Sequence, residues 1–267
     1  MTFLITQPVW LSAVILIGFG TAISMLGPAI VRRRVGLHRL IVNNEVAGFK
    51  FAVVGVLYAV LLAFQVIVVW EKFSQAEATV VNEAGAVANI YRLAGGIGGE
   101  PESVIQKSLT RYLDTAIADD WPAMERGSAA ASVTRTLNSV YAAVLKFHPN
   151  DPAGSALLSE ILRELDAVTA ARRSRLVMAA GLIPGLMWFV LFSGAFITIG
   201  FTYFFGAENL RAQMVMTGAL AALIFAELVI IIAIDHPFAG TIKVTPEALY
   251  AVRAEFASPS GAPAPNE

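Results

Sequence analysis

Four long apolar runs constrain this chain more than any other feature. Val9 to Val31 is 23 residues without a charge, Phe51 to Trp70 is 20, and Leu176 to Phe205 is 30. Ala212 to Ile234 is 23 residues with a single charge, Glu227. Crossing the hydrocarbon core takes about 20 apolar residues as a helix. Lipid offers the backbone no hydrogen-bond partner, so each run must close its own bonds as a helix. Composition agrees: 57% of the residues are hydrophobic, 15% are charged, and the mean hydropathy is +0.67. A soluble domain carries about a quarter charged residues. The pattern predicts an all-α polytopic membrane protein with four transmembrane helices and a helical, water-exposed domain between the second and third.

The first run has no Lys or Arg in its flank Met1 to Pro8 and is too long for a signal core, so it is expected to remain as a membrane helix. Trp10 and Trp70 close their runs at the headgroup level, whereas Trp188 reads as a packing residue inside the third. Pro28 is expected to kink or end the first span. Gly181-Leu182-Ile183-Pro184-Gly185 combines small-residue spacing with proline and predicts a close helix approach with a kink.

Residues 1–70 thus hold spans one and two, 176–234 hold spans three and four, and 71–175 form the extramembrane domain. The last of these carries 11 Lys/Arg and 13 Asp/Glu. Phe73, Val80, Ala84, Val87, Tyr91 and Ala94 recur at helical spacing, so the second span continues into this domain without a break. Gly95 to Gly99 ends that helix, and Pro101 opens the next, with Ile105, Leu109, Tyr112, Leu113 and Ala116 on its apolar face. Asp119-Asp120-Trp121-Pro122 marks a break or kink. Another helix carries Val133, Leu137, Val140, Tyr141 and Val144. Asp151 then caps a last helix starting at Pro152, which is expected to run into the third span. In the C-terminal segment 235–267, residues 246–256 read as a short helix and Ala257 to Glu267 as a disordered tail.

The net charge of −1 leaves no basic surface for nucleic acid, and the absence of cysteine removes thiol chemistry and cysteine-ligated metals. His38, His148 and His236 are far apart in sequence. No metalloprotease, phosphate-loop or dinucleotide motif is present, and Asp119-Asp120 supplies too few oxygens for a calcium loop. The reading is a non-enzyme with no catalytic residues, no metal and no cofactor. The implied partners are the lipid bilayer, further copies of the chain and small inorganic ions.

Candidate residues are polar groups in or beside the spans. Glu227 is costly in hydrocarbon unless paired, hydrated or protonated, and reads either as a pore or proton-coupled site or as interhelical glue. Gln65 is a weaker candidate of the same kind. Asn44, Glu45 and Lys50 sit where the second span begins. Asn43 or Asn44 can cap that helix and Glu45 suits its dipole; alternatively, Glu45 and Lys50 line a polar vestibule. Short-loop charge (Arg32, Arg33, Arg34, Arg39 and Arg211) favours a cytoplasmic location for that side and an extracytoplasmic 71–175 domain. Lys72, Arg163, Arg172, Arg173 and Arg175 pull the other way.

Asn44-Glu45-Val46-Ala47-Gly48-Phe49, with Val54-Gly55-Val56-Leu57-Tyr58-Ala59-Val60-Leu61-Leu62-Ala63-Phe64, resembles the bestrophin-like domain family of bacteria and plants. So do Trp70-Glu71, Ala76-Glu77, Glu83-Ala84, Tyr91-Arg92, Asp235-His236-Pro237-Phe238-Ala239-Gly240 and Pro246. The resemblance implies four spans per subunit and, by comparison with bestrophins, a pentameric anion channel with the second span lining a pore that has a hydrophobic neck. Phe49, Phe51, Tyr58 and Phe64 are then the constriction candidates, and Asp235, His236, Pro237, Phe238 and Gly240 a motif at the membrane boundary. No acidic calcium clasp follows residue 235. In bestrophins the helical domain is cytosolic, opposite to the reading from short-loop charge. An oligomeric channel in a bacterial inner membrane is the leading reading; a non-conducting scaffold or sensor whose helical domain binds a partner is the alternative.

Overall fold

A computed structural model describes Leu11, Ala13 to Val42, and Asn44 to Ser258. Trp10, Asn43 and the tail beyond Ser258 lie outside the described residues. Among those described, the secondary structure is helical, with no strand. A π-helical segment Val14–Phe19 leads into α1 (Gly20–Val35), followed by α2 (Leu37–Val42) and α3 (Asn44–Gly95). Next come α4 (Gly99–Thr115), a π-helical turn Ala116–Asp120, α5 (Trp121–Met124), α6 (Ala131–Leu145) and α7 (Pro152–Ala179). The chain ends with α8 (Gly185–Thr202), α9 (Leu210–Ile234) and α10 (Glu247–Ala257).

The chain divides into two compact units. One contains the described residues up to Phe73, with Leu182–His236 and Gly240–Ile242; the other contains Ser74–Gly181, Pro237–Ala239 and the described residues from Lys243 onward. The first is the membrane unit. Val14–Val35, Asn44–Gly95, Gly185–Thr202 and Leu210–Ile234 are each long and apolar enough to span a bilayer.

Helix α3 is 52 residues long, so the second span continues without interruption as far as Gly95. Its inward residues, Tyr58, Leu62, Val69, Phe73, Ala76 and Val80, step along one face at intervals of three, four or seven. Gly98 and Gly99 then adopt φ of +71° and +70°, a conformation open to glycine and strained for other residues.

Three expectations need correction. Helix α7 does not run into the third span, because it stops at Ala179 and α8 begins only at Gly185. Gly181 has a φ of +107°, and Pro184 disfavours a helical residue before it, so the helix cannot pass through. Pro28 does not end the first span; α1 continues through it to Val35. Gly185 is not a point of close approach, since a Cβ there would meet nothing within 4 Å. Close packing uses other glycines. A Cβ on Gly27 would lie 2.2 Å from the Tyr203 ring, on Gly194 2.4 Å from the Tyr58 ring, and on Gly20 2.7 Å from the Phe225 ring. Small residues thus seat the aromatic rings of neighbouring helices, the usual device where all surfaces are apolar.

In the second unit, α4 packs on α6, with Ile105, Leu109, Leu113, Val133, Val140 and Val144 buried. Asp151 caps α7 by accepting the Gly154 N–H at 2.6 Å, with Pro152 in the first turn. Tyr91 of α3 stacks on Phe256 of α10 at 3.7 Å between ring centroids.

Candidate functional site

The polar candidates of the membrane unit have separate tasks. Asn44, the first residue of α3, holds Gly206 by a reciprocal pair of bonds: its Nδ2 donates to the Gly206 carbonyl at 2.7 Å, and its Oδ1 accepts the Gly206 N–H at 2.8 Å. A Cβ on Gly206 would fall 2.5 Å from the Ile41 backbone nitrogen, so only glycine fits there. Asn44 is therefore a tether between the start of α3 and the loop after α8. Glu45 is exposed in the first turn of α3. Lys50 is exposed and lines a groove between α1, α3 and α8. Gln65 is buried.

The four constriction candidates divide. Phe51 packs against Phe205 edge-on at 5.5 Å and against Phe201 at 6.1 Å. Tyr58 is buried, its ring against Gly194 and its hydroxyl donating to the Leu191 carbonyl at 2.9 Å. Both are occupied within their own chain. Phe49 and Phe64 stand on the outer face of α3, together with Val53, Val56, Val60 and Ile67. Trp188 packs inside the unit, stacked on Phe192 at 5.7 Å.

Glu227 lies on α9 with its side chain exposed at the surface of the chain, and no hydrogen bond or ion pair to it occurs among the described residues.

The boundary motif begins as a helix junction. Asp235 is buried at the end of α9, where its Oδ1 accepts the N–H groups of Leu182 and Ile183 at 3.1 and 2.9 Å. Its carbonyl also accepts the Leu182 N–H at 3.0 Å. One residue thus satisfies the backbone where the chain is between helices α7 and α8. His236 Nδ1 lies 3.1 Å from Asp235 Oδ2. In the other unit, the Pro237 carbonyl accepts the Val244 N–H at 2.7 Å, and Phe238 is fully buried, edge-on to Trp121 at 6.2 Å. Gly240 turns the chain with a φ of +84°.

A buried ionic cluster in the second unit was not singled out by sequence reasoning. Arg175 makes two parallel bonds to Glu83 and reaches Asp120 Oδ2 at 3.3 Å. Arg172 grips Asp120 through Nε at 2.8 Å and Nη2 at 3.2 Å. Tyr112 donates to Glu83 Oε1 at 2.7 Å, and the Ala130 N–H donates to Asp120 Oδ1 at 3.1 Å. The Arg175 guanidinium also lies over the Trp121 ring, 4.5 Å from its centroid. The π-helical turn Ala116–Asp120 delivers Asp120, fully buried, to this cluster. Burial, followed by the adjacent Glu83 carboxylate, raises the Tyr112 pKa well above its ordinary value. Burial, the largest single influence, would lower the Arg175 pKa, but Glu83, Tyr112 and Asp120 together outweigh it and the net shift is upward. The cluster holds two carboxylates and two guanidiniums, so formal charges balance. One signal did lie in the sequence: Arg172 and Arg175 continue the apolar stripe Ile161, Leu165, Val168 at helical spacing, and Glu83 falls three residues after the inward Val80.

Among the described residues no group of three or more His, Cys, Asp or Glu is placed to hold a metal ion.

Four membrane-spanning helices with a helical unit inserted between the second and third define a polytopic α-helical membrane protein. The chain belongs to the bestrophin-like family, whose domain model matches residues 18–249. No curated protein matches it. Among solved structures, a point variant of a bacterial bestrophin homologue from Klebsiella pneumoniae superposes with a TM-score of 0.71 at 11% identity, covering 91% of this chain and 99% of that one. A second variant described as that homologue gives 0.65 at 14% identity, over 90% and 97%. A variant described as a membrane protein gives 0.69 at 11% identity, over 90% and 97%. At these identities the likeness is one of fold.

Proposed function

We propose that this chain is one subunit of an oligomeric ion channel of bestrophin type, passing small inorganic anions along a path faced by α3. The observation that carries the oligomeric, hydrated part of the reading is Glu227 on α9; the anion and the path along α3 rest on the likeness to bestrophins. A carboxyl group inside a spanning helix, exposed on its own chain and with no hydrogen-bond or ion-pair partner among the described residues, is several kcal/mol out of place in lipid. Other copies of the chain or a water-filled path remove that cost. Family membership and the likeness to bacterial bestrophin homologues support the same reading. Phe49 and Phe64, standing free on the outer face of α3, are the constriction candidates, since rings of apolar side chains gate by excluding water. Glu45, exposed at the head of the same helix, belongs to the entrance.

The test is reconstitution of the purified oligomer into liposomes, with chloride efflux and single-channel current as readouts. Wild-type protein is expected to conduct, Phe64→Ala to conduct more, and Glu227→Gln to change conductance or its pH dependence with assembly intact. A reconstituted, assembled protein that passes no ion under any gradient overturns the channel reading in favour of a non-conducting scaffold. Currents and assembly unchanged by both Glu227→Gln and Glu227→Leu remove Glu227 from it.

A further inference from the structure

The membrane unit carries an open groove of about 670 Å³ between α1, α3 and α8. Val31, Ala47, Phe196, Gly200 and Phe204 line it, and its charged member is Lys50. Lys50 enters no ion pair among the described residues. It stands on α3 immediately before the uncharged run that starts at Phe51, at the end of the membrane unit that also holds Arg32, Arg33 and Arg34. Arg32 is spent on the loop after α8, donating to the carbonyls of Ala207 and Glu208 at 3.0 and 3.2 Å; Arg33 and Arg34 are exposed. Between residues 32–50 and 203–211 there are six Lys and Arg (Arg32, Arg33, Arg34, Arg39, Lys50 and Arg211) against two acids, Glu45 and Glu208.

We infer that this groove is a binding site for an anionic phospholipid, with the phosphate on Lys50 and one acyl chain along the groove. The volume falls in the range of small-molecule sites, about 300–1,000 Å³. An apolar trough between spanning helices accepts an acyl chain; Lys50 decides which lipid. An ammonium at the edge of a trough between spanning helices is the arrangement that selects an anionic head group over a zwitterionic one. The excess of cations at this boundary points the same way. Gly200 leaves the trough clear, because a Cβ there would meet nothing within 4 Å.

That open space makes the site testable. Gly200→Leu adds a side chain at a point of the groove wall where a Cβ meets nothing within 4 Å, and Lys50→Gln removes the charge while keeping an unbranched polar side chain. The purified full-length protein in detergent is titrated with phosphatidylglycerol or with phosphatidylcholine of the same chain length, and native mass spectrometry counts lipid retained per subunit. Wild-type protein is expected to retain phosphatidylglycerol in preference to phosphatidylcholine. Lys50→Gln should weaken phosphatidylglycerol binding about fivefold, the worth of one basic residue near an anionic surface. Lys50→Arg should keep most of it, and Gly200→Leu should reduce binding of either lipid while circular dichroism stays unchanged. Equal retention of the two lipids by the wild type overturns the assignment. So does phosphatidylglycerol binding that is undiminished in either Lys50→Gln or Gly200→Leu. Loss of oligomers in Gly200→Leu with lipid binding intact would also overturn it, assigning the groove to contact between copies.

Discussion

Arg175 and Glu83, 92 residues apart in sequence, are joined by two parallel hydrogen bonds, Nε to Oε2 at 2.8 Å and Nη2 to Oε1 at 2.9 Å, with both side chains wholly buried. The pair fastens α7 to α3 inside the second unit. Removing Glu83 leaves Arg175 buried with only its longer contact to Asp120, at 3.3 Å, and breaking a buried pair costs about 3–5 kcal/mol. Glu83→Ala is expected to lower the melting temperature markedly in a detergent melt. Glu83→Ala combined with Arg175→Met should be more stable than Glu83→Ala alone, since no buried guanidinium is left without its main partner and Asp120 keeps Arg172. Arg175→Lys should behave like a loss, because an ammonium cannot reproduce the two-pronged contact. A double variant no better than the single would refute the pairing as the source of the effect.

Tyr112 gives the same unit an alkaline limit. Its folded pKa is raised well above the ordinary tyrosine value of 10.0, so between that value and the folded one the folded state holds a proton that the unfolded state has released. Stability therefore falls as pH rises beyond about 10 and is unaffected by this group below it. Tyr112→Phe should begin from a lower stability, having lost the bond to Glu83, and show a shallower decline from pH 10 to 11. Parallel declines in the two proteins would exclude Tyr112 as the cause.

Asp235 predicts a local rather than a global effect. Its carboxylate accepts two N–H groups in the junction between α7 and α8. Asp235→Ala leaves the Ile183 N–H without an acceptor, a loss of about 1–3 kcal/mol, whereas Leu182 keeps its bond to the Asp235 carbonyl. Asp235→Asn retains an acceptor oxygen and should cost less. Hydrogen exchange at Ile183 should accelerate strongly in Asp235→Ala and modestly in Asp235→Asn, with a smaller change at Leu182, which keeps the Asp235 carbonyl. Unchanged exchange at both amides in the alanine variant would show that the carboxylate is dispensable there.

Two glycines of the membrane unit should respond in opposite directions. Gly194→Ala drives a Cβ to 2.4 Å from the Tyr58 ring, and overpacking of this kind costs about 1–3 kcal/mol. Gly55→Ala meets nothing within 4 Å and replaces a poor helix former, so its melting temperature should match or exceed the wild type. Equal melting temperatures for the two variants would refute the close approach of α3 and α8 at Tyr58.

Local signals carried much of the architecture. The spans follow from apolar length, the start of α7 from Asp151-Pro152, the start of α10, to within a residue, from Thr245-Pro246-Glu247, and the end of α3 from its glycines. Each of these is decided by a few neighbouring residues acting on the backbone. The orientation of side chains around α3 was not legible, because a helix apolar on every side has no polar face to set its phase. Phe49 and Phe51 look alike in the sequence; packing alone turns Phe51 onto Phe201 and Phe205 and leaves Phe49 outside. Asn44 reads as a cap until Gly206 is found against it. The junction at Ala180–Pro184 carried its warning in Gly181 and Pro184, yet only the Asp235 carboxylate, 52 and 53 residues away, shows how its backbone is satisfied. The buried cluster is the plainest case. Its two acids and two arginines come from α3, the π-helical turn before α5, and α7, and nothing local tells a paired buried arginine from a solvated one. Charge burial depends on which partner the fold brings within hydrogen-bond distance, and the tertiary structure alone decides that.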